Sequence, residues 1–340
     1  MIHEGERVFD PQKILFAWPN VRPEVVRQIT TGANNVSYRV ETPSGCYVLR
    51  ISRNTSGLRR IKREHALLLR LQHADLSFAV PLPMTTVSGR TYEVATHDEW
   101  DSVATLVSLI PGREPEAGNV GEAVICGAAL GELDDILSRI DAEDVQTGHR
   151  QSGDQAGDHA SVLDALWKVV QRPADARTAP RLNVVLAHLS ECVADRLRTL
   201  PSQLIHADFD PSNTLVSEGR VRGILDFELS VRGPRALDLA TGLRGFGIAS
   251  WSGSTNWPII SAFATGYQQR ITLTPAELSA VPALLLWREA TSVAHWLERL
   301  HQGLTTKVDF ARRVMNLLSC DDWLRANGDE LMRRIDGTSS

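Results

Sequence analysis

The hydrophobic pattern of the chain changes near Pro111, and this change constrains the fold more than any other feature. Before it, residues 36 to 51 alternate apolar and polar positions around a turn at Pro43–Gly45, which predicts two paired strands. The segments YEVAT and SVATLVSLI predict further strands, and GLRRIKREHALLLRLQH predicts one helix. From Pro111 onward apolar residues recur every three or four positions, as amphipathic helices require.

The second region is predicted to be mainly helical. Its periodicity predicts helices at about 120–140, 161–170, 180–200, 257–271, 275–302 and 308–335, and the polar stretch 146–160 predicts a loop. A chain of 340 residues also exceeds the roughly 250–300 residues that one hydrophobic core usually serves. We therefore predict an α+β, bilobal fold, with a β-rich domain over 1–110 and a helical domain over 111–340.

The composition limits the partners. Hydrophobic and charged contents of 43% and 23% are those of an ordinary globular protein, and a net charge of −5 argues against nucleic acid. The N-terminus lacks the apolar core of a signal peptide, and the run VPALLLW is too short to cross a membrane. We expect a cytoplasmic protein with no membrane partner, either monomer or homodimer. Its reduced thiols would be Cys46, Cys126, Cys192 and Cys320.

A β-hairpin is predicted within residues 204–228, with its turn at Glu218–Gly219. In that register Asn213 faces Ile224, so Asp226 lies on a diagonal from Asn213, a separation of roughly 7–8 Å between backbones. Amide and carboxylate oxygens at this spacing are typical ligands of Mg²⁺, which usually takes its remaining ligands from water and phosphate. The hairpin thus predicts a magnesium site.

Asp208 lies on the loop that enters the hairpin, five residues before Asn213. A carboxylate in this position could accept a proton from a substrate hydroxyl while a metal holds the phosphate. The alternative is a polar hairpin whose carboxylates only cap turns.

The order His-x-Asp-x-x-x-x-Asn over 206–213, followed by Asp-Phe-Glu 13 residues after the Asn, resembles the aminoglycoside phosphotransferase / choline kinase-like family. The resemblance implies a protein-kinase-like fold and a small-molecule kinase. It implies that Asp208 is the catalytic base, that Asn213 and Asp226 bind Mg²⁺, that His206 braces the loop, and that Asp238 buttresses it.

The resemblance also implies an ATP or GTP site in the first domain. The segment TTGANNVSYRV would be the phosphate-side loop, and the hinge backbone would bind the purine. The residues concerned are Gly32, Asn34, Asn35 and Ser37 in the loop, and Ser108, Leu109 and Ile110 in the hinge.

Arg50 stands where the family normally has a lysine that contacts the α- and β-phosphates, and Glu64 matches its partner glutamate. Arginine is always charged and binds phosphate bidentately, but it is bulkier than lysine. This departure leaves four interpretations open: a different phosphate pose, a weakened enzyme, a structural ion pair, or a catalytically silent nucleotide-binding protein.

The acceptor is predicted to be a hydroxyl of an antibiotic of the aminoglycoside, macrolide or nucleoside type, which would make the protein an antibiotic resistance enzyme. The alternative is a metabolic kinase of the homoserine or choline type. A metal-dependent hydrolase using His206, Asp208 and Asp226 is a weaker third interpretation. Candidate acceptor contacts are Asp210, Glu228, Arg232, Trp287 and Glu289, although a tryptophan in a helix is more often part of the core.

Overall fold

The computed structural model describes residues 10–31, 35–52, 57–97, 100–141, 159–171 and 178–337. The chain forms two compact units. Unit 1 comprises Met1–Asp75 and Ala79–Pro111, and unit 2 comprises Leu76–Phe78 and Gly112–Ser340.

Unit 1 is built on an antiparallel sheet with strand order β1-β2-β3-β5-β4. The strands are β1 (Val25–Thr31), β2 (Asn35–Thr42), β3 (Gly45–Ser52), β4 (Glu93–His97) and β5 (Trp100–Ser108), and the helices are α1 (Pro11–Leu15) and α2 (Leu58–Leu71). The predicted β2–β3 hairpin, β4, β5 and α2 are confirmed. Strand β1 and helix α1 were not delimited from the sequence.

The core of unit 1 lies on one face of this sheet. Alternate residues of β2 and β3 enter it, among them Val40 and Leu49, which are fully buried. Trp18 follows α1 and is buried in the same cluster, where its indole Nε1–H donates to the carbonyl of Met84 at 2.9 Å. The alternation of apolar and polar residues in the sequence therefore indicates which face of the sheet packs against the core.

Unit 2 is mainly helical. Its helices are α3 (Val120–Leu137), α4 (His159–Gln171), α5 (Thr178–Asp195), α6 (Arg235–Gly247), α7 (Trp257–Gln268), α8 (Pro275–His301) and α9 (Lys307–Ile335). Two strand pairs accompany them, β6 (Gln203–Ile205) with β9 (Val231–Gly233), and β7 (Thr214–Ser217) with β8 (Arg220–Ile224). The six predicted helices are confirmed, and α6 is an addition. No helix among the described residues has the length and apolarity of a membrane-spanning segment.

Helices α3 and α7 approach each other backbone to backbone. A Cβ atom added at Gly127 would overlap the carbonyl of Phe263, and one added at Gly266 would overlap the carbonyl of Val124. Only glycine allows this approach, so both positions are fixed by packing rather than by a turn. The contact holds α7 against the helix that carries Asp134, a residue of the site described below.

The β7–β8 hairpin differs from its prediction by one residue. Its turn lies at Glu218–Gly219, as predicted, with φ of 53° and 71°. However, Thr214 and not Asn213 faces Ile224, because an irregularity beside Leu215 places one extra residue in β8. A bulge of this kind shifts the pairing and cannot be seen in an alternation pattern.

Candidate active site

The segment that carries the predicted catalytic residues alternates polar and buried aromatic side chains. Strand β6 leads into it, with Ile205 paired to Val231 of β9. Phe209 and Phe227 are both buried, and the ring of His206 meets Phe227 edge-on at 4.7 Å. These apolar anchors hold the loop to the body of unit 2, while the carboxylates between them remain partly accessible.

Asp238, in the first turn of α6, fixes the shape of the loop. Its carboxylate is fully buried and accepts from the backbone N–H groups of His206 at 2.6 Å and Ala207 at 2.7 Å. Ala207 has a φ of 65°, a left-handed conformation that costs an L-residue about 1–2 kcal/mol. Two hydrogen bonds to a charged acceptor, each worth about 1.5–3 kcal/mol, offset that cost. This geometry is the one expected of a residue that buttresses the loop.

His206 is fully buried and joins two parts of the site. Its Nδ1 accepts from the N–H of Asp208 at 3.3 Å, so its Nε2 carries the proton and donates to the carbonyl of Leu225 at 3.0 Å. Burial lowers the pKa of His206, which favours this neutral form. The ring therefore ties the loop to the end of β8, as the predicted bracing role requires.

A second carboxyl group, Asp134 of α3, lies behind Asp238. The hydroxyl of Tyr267 donates to Asp134 Oδ2 at 2.7 Å. Burial, together with the negative charge of Asp238, raises the pKa of Asp134 well above its usual range. Burial raises the pKa of Asp238 as well, but its bonds from the backbone N–H groups of His206 and Ala207 favour its ionised form, so the proton is favoured on Asp134, which can then donate to Asp238. The sequence gives one signal of Asp134: it is an acidic residue on a face of α3 whose other buried residues are apolar.

Asp208 and Asn213 are hydrogen-bonded to each other. The amide nitrogen of Asn213 donates to the Asp208 carbonyl at 3.0 Å and to its Oδ2 at 3.2 Å. Because the nitrogen is directed at Asp208, the amide oxygen is the atom that Asn213 can offer to a cation. Burial raises the pKa of Asp208 to about 6; the charges of Asp226 and Asp210 also raise it, while Arg288 lowers it.

Asp226 follows β8 in a left-handed conformation, with φ of 62° and ψ of 63°. The residue before it, Leu225, donates its N–H to the carbonyl of Asn213 at 2.8 Å, so the two predicted metal ligands stand at adjoining strand ends. No group of three or more His, Cys, Asp or Glu side chains in the described ranges could hold a metal by itself. An amide and a carboxylate oxygen fit Mg²⁺, which needs few protein ligands.

The predicted acceptor contacts occupy different environments. Asp210 accepts from the N–H and hydroxyl of Ser212 at 3.0 and 2.9 Å and so caps the turn before β7. Trp287 is buried and packs edge-on against His159, which places it in the core. Glu289 is also buried, whereas Glu228 is partly exposed and Arg232 is exposed. The sequence interpretation missed Arg244 and Arg288, the two arginines that pair with Glu289.

In unit 1, Arg50 lies in the middle of the sheet, between Ser37 of β2 and Thr105 of β5. Burial and the charge of Arg50 together lower the pKa of His65 on α2 to about 4. Glu64, the neighbour of His65, is buried. Arg50 and the predicted glutamate partner thus belong to one region of unit 1.

The remaining nucleotide-site predictions concern the loop and the hinge. Gly32 and Asn34 lie outside the described residues, and Asn35 begins β2. In the hinge, the N–H of Ser108 donates to Leu82 at 2.9 Å and the N–H of Leu109 donates to Cys46 at 3.0 Å. Ile110 is the one of the three predicted hinge residues whose backbone N–H donates to no backbone carbonyl among the described residues.

A sheet unit followed by a helical unit, in which a loop carboxylate and amide precede a hairpin and a second carboxylate, defines a protein-kinase-like phosphotransferase. The sequence profile of the phosphotransferase enzyme family (APH) matches residues 25–276. The chain belongs to this family and is an enzyme that phosphorylates hydroxyl groups of small molecules. The family and the fold predicted from the sequence are confirmed.

Curated relatives include homoserine kinases. That of Phenylobacterium zucineum (strain HLK1) is 26% identical over 288 residues, which is 84% of this chain and 82% of the relative. That of Caulobacter vibrioides (strain NA1000 / CB15N) is 27% identical over 273 residues, 77% of this chain and 78% of the relative.

Solved structures with the same fold include antibiotic kinases. Amicoumacin kinase in complex with AMP-PNP and Ca²⁺ superposes with a TM-score of 0.66 at 18% identity, covering 92% of this chain and 94% of the kinase. An aminoglycoside 2'-phosphotransferase in complex with GDP gives 0.66 at 14% identity, covering 94% and 98%. At these identities the structures show the fold alone.

Proposed function

We propose that the protein transfers the γ-phosphate of ATP or GTP to a hydroxyl group of a small metabolite in a Mg²⁺-dependent reaction, with Asp208 as the base. The observation that carries this proposal is the hydrogen-bonded pair of Asp208 and Asn213. It sets a carboxylate with a pKa of about 6 beside an amide whose oxygen is available to a cation. A base with a pKa close to neutrality is well matched to proton transfer at physiological pH.

Each residue of the loop has a defined task in this proposal. Asp208 orients the acceptor hydroxyl and takes its proton as the new bond to phosphorus forms. Asn213 and Asp226 would hold Mg²⁺, which would supply neutralisation of charge on the transferred phosphate. His206 and Asp238 do not touch the substrate; they keep the loop in the conformation that presents Asp208.

Unit 1 would supply the contacts to the nucleotide. Arg50 would bind the phosphates, and Glu64 would orient Arg50, a task that a guanidinium performs with two parallel hydrogen bonds. The backbone around Ile110 would bind the purine. The loop donors would be Gly32, Asn34, Asn35 and Ser37, as the family resemblance implies.

The acceptor of this proposed kinase is best sought among amino-acid alcohols. The sequence-based prediction put an antibiotic first and a homoserine-type metabolite second. The curated relatives named homoserine kinase match 77–84% of this chain at 26–27% identity, which supports the second class. The antibiotic kinases share the fold at 14–18% identity and carry no comparable argument.

Replacing Asp208 by asparagine tests the proposed base. We expect kcat to fall by about 10²–10⁴ because general-base catalysis contributes that much, with the affinity for Mg·ATP retained. The matched control is Asp164→Asn, which removes an exposed carboxylate on α4 and should leave kcat unchanged. Near wild-type turnover of Asp208→Asn would show that another group accepts the proton.

Replacing Asp226 by alanine tests the metal site. We expect the affinity for ATP measured by calorimetry to lose its dependence on Mg²⁺.

A catalytically silent protein would be recognised by a different experiment. It would bind Mg·ATP yet transfer phosphate to none of a panel of aminoglycosides, macrolides, nucleosides, homoserine and choline.

A further inference from the structure

Two arginines of unit 2 share one buried carboxylate beside the catalytic loop. Arg244 lies on α6 and Arg288 on α8, with Nε and Nη1 atoms 3.7 and 3.3 Å from Glu289 Oε1. The side chain of Glu289 is 4% exposed, whereas those of Arg244 and Arg288 are 18% and 27% exposed. The carboxylate is therefore enclosed, and the two arginines that pair with it keep part of their side chains exposed.

The cluster adjoins the residues that surround the proposed base. A Cβ added at Gly245 would lie 2.8 Å from Asp210 Oδ2, so α6 touches the catalytic loop one residue after Arg244. Phe246, the next residue, stacks on Phe209 with ring centroids 6.0 Å apart. Arg288 reaches the same place from α8, because it pairs with the same Glu289 oxygen as Arg244. An acceptor whose hydroxyl meets Asp208 would thus be within reach of these guanidinium groups.

The cluster holds two guanidinium groups for one buried carboxylate, and Asp210 of the catalytic loop also acts on Arg244. Arg244 and Arg288 repel each other, and this repulsion adds to burial in lowering the pKa of Arg244. The Nε of Arg244 is buried without a hydrogen-bond partner among the described side chains and backbone. Trp251, whose ring lies 4.9 Å from the Arg244 guanidinium, holds that group in place. The exposed parts of the two guanidinium groups, 18% and 27% of the side chains, can donate to a further anion.

We propose that Arg288 and Arg244 bind a carboxylate group of the acceptor, and that the enzyme therefore phosphorylates hydroxy acids or hydroxy amino acids. This inference rests on the proposed function, since it assumes that the acceptor hydroxyl meets Asp208. A carboxylate matches the planar fork of a guanidinium and accepts two parallel hydrogen bonds from it. A polycationic acceptor such as an aminoglycoside would instead meet like charge at this position.

The test compares acids with their neutral counterparts on the full-length protein. The ligands are L-homoserine, L-threonine and 4-hydroxybutanoate, each beside its carboxamide, and 3-aminopropan-1-ol, which is homoserine without the carboxylate. Calorimetry in the presence of a non-hydrolysable ATP analogue gives Kd, and phosphate-transfer assays give kcat and KM. We expect at least one acid to bind about tenfold or more tightly than its carboxamide, since hydrogen bonds to charged groups are the strong ones.

Matched variants test whether the preference for the acid over its carboxamide arises from the two arginines of the cluster. Arg288→Gln should abolish the preference for the acid, raising KM for the acid while leaving KM for the carboxamide near its original value, and Arg288→Lys should restore part of it. Arg299→Gln removes the same charge from the same helix, about 16 Å further along its axis, and should change neither value. Arg244→Lys serves as a second variant, and thermal unfolding confirms that each protein is folded.

The outcomes separate this inference from the proposed function. Equal binding of every acid and its carboxamide, or an unchanged preference in folded Arg288→Gln, would show that the cluster does not recognise a carboxylate. Transfer to carboxamides or aminoglycosides but to no acid would overturn the inference and leave the kinase function standing. If no acceptor were phosphorylated, the proposed function would fail, while the calorimetric preference would still decide the inference.

Discussion

Asparagine at position 134 should leave the protein at least as stable as it is at neutral pH, whereas asparagine at position 238 should destabilise it strongly. The two carboxyl groups are both fully buried and burial raises the pKa of each, but the backbone N–H groups that donate to Asp238 favour the proton on Asp134. An asparagine in place of Asp134 can still donate to Asp238 and still accept from Tyr267, as the protonated acid does. The same amide in place of Asp238 would turn an N–H group towards a backbone N–H.

The magnitude at Asp238 follows from its two short bonds to the loop, at 2.6 and 2.7 Å. Asparagine keeps one acceptor oxygen, so one bond to a charged acceptor, worth about 1.5–3 kcal/mol, is lost, and the buried N–H of the amide without an acceptor costs about 1–3 kcal/mol more, roughly 3–6 kcal/mol together. That is a large part of the 5–15 kcal/mol by which a domain is typically stable. Ala207 would also lose the bond that offsets its left-handed conformation, so kcat should fall together with stability.

The sign of the pH dependence separates the two residues further. Asp134 has a raised pKa in the folded state, so its contribution to stability falls as the pH rises above the unfolded value of about 3.9. Asp134→Asn has no titrating carboxyl group at this position, so it does not lose stability in this way as the pH rises. Its stability relative to wild type should therefore grow as the pH rises from 4 towards neutrality, by about 1.4 kcal/mol per pH unit while the folded wild-type carboxyl group stays protonated.

Urea unfolding at pH 4 to 8 measures both effects, and steady-state kinetics reports on the loop. If Asp134→Asn were as destabilising at pH 7 as Asp238→Asn, the two carboxyl groups would not share one proton in the assigned way. Asp134→Leu is the matched control for packing: it leaves the Tyr267 hydroxyl with only its long 3.5 Å contact to the Arg235 carbonyl and should cost about 1–3 kcal/mol.

Two further predictions concern the base and the helix packing. Because burial raises the pKa of Asp208 to about 6, kcat/KM should fall as the pH drops through about 6. Arg288→Gln should shift this acidic limb of the pH profile to higher pH, because Arg288 lowers the pKa of Asp208. A flat profile between pH 5 and 8 would contradict the role of Asp208. Gly266→Ala should destabilise unit 2 by about 1–3 kcal/mol, because its Cβ would overlap the backbone of α3. Gly328→Ala, in open space on α9, should instead stabilise it by about 0.5–1 kcal/mol in urea unfolding, and equal effects of the two substitutions would refute the packing argument.

Much of the fold could be predicted because its elements are locally encoded. Alternation in β2 and β3 and the three- to four-residue spacing in α3 and α8 are properties of short segments, and they indicated the right elements. The hairpin turn at Glu218–Gly219 was found for the same reason. Its register was not, since a bulge depends on how two strands fit each other and leaves no trace in either strand alone.

The residues of the site also differ in whether the sequence alone reveals them. Asp208, Asn213 and Asp226 lie within 19 positions of one another and keep a recognisable order, so the sequence shows them together. Asp134 and Arg244 come from helices far apart in the chain, and their importance depends on tertiary contacts with Asp238 and Glu289. Glu289 was predicted as an acceptor contact, but a single sequence cannot show that two arginines cover it.

The placement of Arg244 and Arg288 has a consequence for how enzymes of this type diverge. Both stand on helices, whereas the proposed base and the proposed cation ligands lie in and beside a loop that buried phenylalanines anchor. Exchanging two helical side chains would reverse the charge offered to an incoming alcohol and leave the phosphate-handling apparatus intact. Under that proposal, new substrates can be acquired by changing helical side chains beside the loop while the loop itself stays the same.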